Sequence, residues 1–271
     1  MKNLFWIFIV CATLFASCKK DQVTELSHHN KLYKEFYHRA ADQVRIFYYN
    51  NDNTLKKYEY QFDQGISERH EYFYKNKQLT QIENYSWNGL AKDLILTQIF
   101  KLNYIGNGQI EIEQVLGDPA HGSLHGSSTT MYGRKVVLYF DVNGNLVSCN
   151  VYSDSMEIIT KYKFDHDSRG NIISEEKKDF FNDQITTFYK EYKYDNNINP
   201  KYKLEDIFDF SKYYSPNNCI EEIEKNEAGE ILSTINRVLE INNDYLPINF
   251  TAYSNYKYSG SSQIRREYVY Y

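Results

Sequence analysis

Proline is nearly missing from this 271-residue chain, with 4 copies, and methionine (3) and tryptophan (2) are as scarce. Proline removes a backbone donor and is confined to turns and sheet edges, so its scarcity leaves long stretches free to pair through every N–H. The same scarcity excludes a proline-rich linker or polyproline array. Four cysteines are too few for a disulfide scaffold. A surplus of basic charge is also lacking: 31 Lys and Arg face 36 Asp and Glu, a formal net charge of −5. A chain of that balance has no electrostatic footprint for nucleic acid. Finally, the longest apolar run, from Leu4 to Phe15, is about 12 residues, too short to cross a bilayer that needs roughly 20 in helical form.

That short run stands in a telling place. Lys2 precedes it, and the small residues Ala16 and Ser17 follow, then Cys18. One positive charge, an apolar stretch and small residues form the layout of a secretory signal. Leu14-Phe15-Ala16-Ser17-Cys18 also resembles a bacterial lipobox, although Phe15 stands where Leu or Val is usual. The resemblance implies cleavage before Cys18 and acylation of its thiol. Multiple acyl chains anchor firmly, at about 0.8 kcal/mol per buried methylene. The expected partner is therefore a membrane, reached through lipid on Cys18 and not by a span. Lys19-Lys20-Asp21, with no Asp directly after the cysteine, resembles lipoproteins sent to the outer membrane, on either its periplasmic or its external side. Without residues 1–17 the net charge becomes about −6. The expected organisation is a signal peptide over 1–17, a lipidated tether over 18–30 and one antiparallel β domain over 31–271, with a loop insertion near 117–134.

What the chain has in abundance is tyrosine (27) and phenylalanine (16), residues that favour pleated, half-buried surfaces. Alternation predicts strands in Tyr58-Glu59-Tyr60-Gln61-Phe62, Tyr72-Phe73-Tyr74, Tyr162-Lys163-Phe164, Tyr192-Lys193-Tyr194 and the closing Tyr268-Val269-Tyr270-Tyr271. Between strands a motif recurs: an aromatic pair, a small polar cluster, then Leu or Ile. It reads Phe47 to Leu55, Tyr72 to Leu79, Leu138 to Leu146 and Tyr162 to Ile172. Asn, Asp and Gly accept the positive φ of tight hairpins, so each polar cluster predicts a turn. The expected fold is all-β, with little helix: a large antiparallel meander of stacked hairpins, as an open curved or partly rolled sheet. Residues 26–44 mix helical spacing with alternation and are read as a first hairpin turning at 40–43.

These Tyr-x-Tyr-Asp-x-x-Gly-Asn-Leu hairpins resemble the YD or Rhs-like repeats of many Bacteroidota lipoproteins. Tyr194-Asp195, Asn199-Pro200, Tyr214-Ser215-Pro216-Asn217-Asn218 and Tyr245-Leu246-Pro247 are similar to an uncharacterised family of such lipoproteins. The resemblance implies a fold and an address but no catalytic residues.

Candidate sites are few. The Gly/Ser-rich stretch 117–134 carries Asp118, His121 and His125, three residues of metal-ligand type. Its glycines oppose the helix that would put both histidines on one face, and a polar hairpin loop is the simpler reading. Asp165 to Glu176 matches a calcium loop at its first, third, sixth and twelfth places, yet Arg169 stands where an oxygen ligand belongs and the flanks alternate like strands. Ser155, in Asp154-Ser155-Met156, resembles an O-glycosylation sequon of Bacteroidota envelope proteins. Cys149 and Cys219 remain to form a disulfide or stay as buried thiols. No cofactor motif and no assembled catalytic set is readable. The function classes in order are a binding or structural envelope lipoprotein with a protein or glycan partner, a carbohydrate binder using exposed Tyr and Trp, and a hydrolase.

Overall fold

In a computed structural model, residues 31–38, 42–62, 65–106, 108–116, 135–202 and 214–270 are described. They form strands β1 (Leu32–His38), β2 (Asp42–Tyr49), β3 (Leu55–Phe62), β4 (Gly65–Lys75), β5 (Gln78–Asn88) and β6 (Asp93–Tyr104). Next come β7 (Gln109–Leu116), β8 (Lys135–Phe140), β9 (Leu146–Tyr152), β10 (Ile158–His166) and β11 (Ile172–Phe181). The series ends with β12 (Gln184–Ile198), β13 (Asn217–Asn226), β14 (Ile231–Ile241), β15 (Pro247–Tyr256) and β16 (Gly260–Tyr270). Every strand pairs antiparallel with its sequence neighbour. The expected early hairpin is present, with Lys34 opposite Ile46 and His38 opposite Asp42, although Asp42 and Gln43, expected in its turn, already pair within β2.

The open or partly rolled sheet expected from the sequence is overturned. β1 pairs with β16, Lys34 opposite Val269 and His38 opposite Arg265, and the sixteen strands close into a barrel. The reason is physical: an open meander would leave two rows of unpaired N–H and C=O groups, and joining its edges removes both.

One turn builds much of the barrel. In Asp141–Asn145, Asp167–Asn171, Asn226–Glu230 and Asn242–Leu246 the first N–H donates to the fifth carbonyl and the fourth N–H to the first carbonyl. The fourth residue takes positive φ in each: Gly144 (81°), Gly170 (89°), Gly229 (79°) and Tyr245 (61°). This is a type I turn closed by a left-handed residue, whose twist suits a hairpin. The leading Asp or Asn fastens it from the side: Asp141 Oδ1 accepts from the N–H of both Asn143 and Asn145 at 2.8 Å. These donors hold the Asp141 carboxyl below its usual range.

Strand alternation sorts side chains into a lumen and an outer wall. Inward, Leu55, Leu79, Leu138, Leu146 and Ile172 are almost fully buried and join one core cluster. Fully burying such a side chain contributes about 1.5–3 kcal/mol. Outward, charges recur on most strands, although β9 and β15 carry none. Glu59 on β3 is clasped by Lys57 (2.6 Å), Arg69 (3.3 Å) and the Tyr48 hydroxyl (3.1 Å). Around the wall follow Lys135–Glu111 (2.7 Å), Lys178–Glu176 (2.9 Å) and Lys225–Glu191 (2.6 Å).

Candidate functional site

The alternation that builds the core also points charge into the lumen on one side. On β1, Glu35 and Tyr37 face inward; on β2, Arg45 does; on β16, Arg266 and Tyr268. A sixth group comes from the segment after β12. There Asn199 Oδ1 accepts from the Lys201 N–H at 3.0 Å and the Asn199 carbonyl from the Tyr202 N–H at 3.1 Å. This turn aims Lys201 at Glu35, four strands beyond β12's neighbour in the sheet order.

Glu35 is wholly buried and accepts from Lys201 Nζ (2.6 Å), Arg266 Nη1 (2.9 Å) and the Tyr37 hydroxyl (2.9 Å), with Arg45 Nη1 at 3.7 Å. Burial alone raises a carboxyl pKa, but the charges of Lys201, Arg266 and Arg45 outweigh it and hold Glu35 well below the ordinary range. The cations in turn lie over rings, Arg45 4.9 Å above Tyr58 and Arg266 4.6 Å above Tyr37.

A second cluster lies on β11 to β14. Glu222 accepts from Arg237 Nη2 (2.8 Å) and Lys190 Nζ (3.2 Å), while Arg237 Nη1 reaches Cys219 Sγ at 3.1 Å. Nearby, Glu175 accepts from the Tyr192 hydroxyl at 2.8 Å. Burial lowers the Lys190 pKa, yet Glu222, Glu175 and Glu224 outweigh it and keep the ammonium charged above its usual range. Between the two clusters lies a cavity of about 50 Å³, with Lys201, Arg237 and Arg266 on its wall beside Phe250, Leu239 and Tyr268.

Such groups are set for electrostatic holding. A carboxylate pinned ionised by three cations is no proton shuttle near neutrality. Ser215 does not stand as a nucleophile either: its hydroxyl donates to Tyr194 (3.0 Å) and accepts from the Ile172 N–H (3.1 Å), and Tyr194 donates to the Ile172 carbonyl (2.7 Å). That chain fastens the barrel floor.

Of the residues singled out from sequence, Cys18, Asp118, His121 and His125 lie outside the described residues, as does the whole of 117–134. Among the described residues no group of three or more His, Cys, Asp or Glu side chains is placed to hold a metal. The calcium-like stretch is a hairpin turn in which Asp167 accepts from the Asn171 N–H (2.9 Å) and Asn171 Nδ2 (2.9 Å). Ser155 is exposed at the tip between β9 and β10, its hydroxyl 2.8 Å from that of Ser153. Cys149 and Cys219 are free thiols, Cys149 buried on β9 and Cys219 half-buried on β13. The charged lumen was not read from sequence. Its signal was a charge in phase with tyrosines, as in Lys190-Glu191-Tyr192-Lys193-Tyr194 and Arg266-Glu267-Tyr268-Val269-Tyr270.

No protein-family model matches the chain, and no curated protein matches it. Among solved structures it is similar to a porin-like protein from Bacteroides vulgatus, at 11% identity and a TM-score of 0.44, over 89% of this chain and 98% of that one. A porin-like protein from Bacteroides uniformis gives 10% identity and a TM-score of 0.42, over 91% of this chain and 100% of that one. A Bacteroides fragilis protein with unknown function gives 9% and 0.27, over 55% of this chain and 89% of that one.

Proposed function

We propose that this protein is a lipid-tethered envelope barrel that stands in water and binds a ligand in its charged lumen. The observation carrying this reading is the outer wall. A lipid-facing barrel needs an apolar band about 25 Å tall, and each outward Lys or Arg at the midplane would cost roughly 2–4 kcal/mol. Here Lys57, Arg69, Lys135, Lys178 and Lys225 face outward, each beside a carboxylate.

Attachment then falls to lipid on Cys18, at an outer membrane. β1 starts and β16 ends at the same rim as the turns 50–54, 141–145, 167–171 and 242–246. A tether from Cys18 therefore reaches this floor end, and the opposite rim points away from the membrane.

The test separates tethering from spanning. Wild-type protein is expected in the membrane fraction, Cys18→Ala in the soluble fraction or uncleaved, and neither gives conductance steps in a planar bilayer. Stepwise conductance, or retention of a cleaved Cys18→Ala chain in washed membranes, would overturn the reading.

A further inference from the structure

We infer that the cavity between the Glu35 and Glu222 clusters binds the oxyanion group of a small acid, a carboxylate or a phosphate. This deepens the ligand-binding reading of the lumen and rests on it.

The distribution of charge around the cavity is the support. Among the described residues its wall carries Lys201, Arg237 and Arg266 and no Asp or Glu. The carboxylates that bind these cations stand behind them, Glu35 holding Lys201 and Arg266, and Glu222 holding Arg237. Each cation is thus fixed in place before any ligand arrives, so little side-chain entropy remains to be lost on binding. Guanidinium groups also present planar forks that match carboxylate and phosphate oxygens.

Size and lining then set the ligand class. One water needs about 10–15 Å³, so the cavity of about 50 Å³ takes about four waters or a single oxyanion group. Phe250 and Leu239, on the same wall, offer an apolar rest for a short carbon body.

The experiment uses the full chain extracted in mild detergent. Equilibrium dialysis with labelled inorganic phosphate and, separately, labelled acetate is run against chloride at matched ionic strength. Saturable binding of one stoichiometric equivalent is expected for at least one probe, and which of the two binds tells phosphate from carboxylate. Arg237→Gln should weaken it by about tenfold or more. Because that change also strands Glu222, Leu239→Trp serves as the second variant: it fills the cavity without altering charge and should abolish binding while the chain stays folded. Unsaturable uptake with both probes, or undiminished binding by folded Leu239→Trp, would overturn the inference. Either result leaves the tethering experiments standing, since those do not depend on anions.

Discussion

The two arcs of the barrel wall share one sheet and are filled by opposite chemistry. Beyond Arg45 on β2, the lumen side from β2 to β10 is mostly apolar: Phe47, Leu55, Ile82, Phe100, Ile112, Leu138 and Val151 are buried in one cluster, with His70, Asn84 and Gln98 buried beside them. From β11 round to β1 it carries Glu175, Lys190, Glu222, Arg237, Arg266 and Glu35. The first arc stabilises by removing area from water. The second holds charges that gain little net stability over apolar residues of the same size, because desolvation consumes most of their attraction. On the proposed reading, the wall segment that keeps such groups and leaves a cavity beside them is the binding half, and the packed arc is its rigid support.

Glu35→Gln breaks the comparison hardest. Removing the carboxylate leaves Lys201, Arg266 and Arg45 around a neutral amide, and breaking a buried ion pair in this way costs about 3–5 kcal/mol. Urea unfolding should show that loss at pH 7. The pH dependence has a definite sign. Glu35 is depressed below its ordinary 4.5, so its contribution is fully present above that value and fades as pH falls through the lower folded one. The wild type should therefore destabilise in acid more steeply than Glu35→Gln. Equal acid slopes would show that Glu35 is not the group at issue.

Leu138→Ala tests the other arc. Leu138 is fully buried, and such truncations cost about 2–5 kcal/mol through lost burial plus the cavity left behind. The unfolding midpoint should fall without any change in acid slope. A small effect would mean that the arc relaxes and is not the rigid half.

How much of this was readable beforehand divides along the same line. The strands through Tyr58, Tyr72, Tyr162, Tyr192 and Tyr268, and the turns at Asp141 and Asp167, follow from alternation and Asx chemistry acting over a few residues. Closure did not follow, because it depends on Lys34 meeting Val269, and nothing local fixes whether two distant edges pair. The site failed for the same reason: Glu35 and Arg266 are 231 residues apart in sequence. Each looks like a solvated charge on its own strand until closure turns both faces inward. The candidate ligands Asp118, His121 and His125 stand in a stretch outside the strand pattern, whereas the lumen charges lie inside that pattern and look like any other alternating residue.

The two thiols give a probe for each arc. Burial and Glu175 push the Cys149 thiol above its ordinary range, and the thiolate is the reactive form. Cys219 borders the cavity beside Arg237. A maleimide should modify Cys219 in the native protein and reach Cys149 only after denaturation, as read by mass spectrometry of the labelled peptides. Native labelling of Cys149 at a comparable rate would show that the packed arc opens readily.

The smallest effect concerns the hydroxyls that fasten the floor of both arcs. Tyr49 donates to the Leu32 carbonyl (2.9 Å), Tyr74 to Leu55 (2.9 Å), Tyr194 to Ile172 (2.7 Å) and Tyr270 to Pro247 (2.6 Å). Each tyrosine thus reaches the start of the strand paired before it and ties the floor ends of neighbouring strands together. Phe140 stands opposite Leu146 as Tyr74 stands opposite Leu79, and it carries no hydroxyl, so the fastening is useful without being required at every hairpin. Tyr74→Phe keeps the ring and removes one such bond, a change worth about 1 kcal/mol. Tyr253, on the outer wall and half exposed, is the matched control, and Tyr253→Phe should stay within about 0.5 kcal/mol of wild type. Urea denaturation of the two variants side by side decides the point. Equal midpoints would mean that the tyrosines act through ring packing alone.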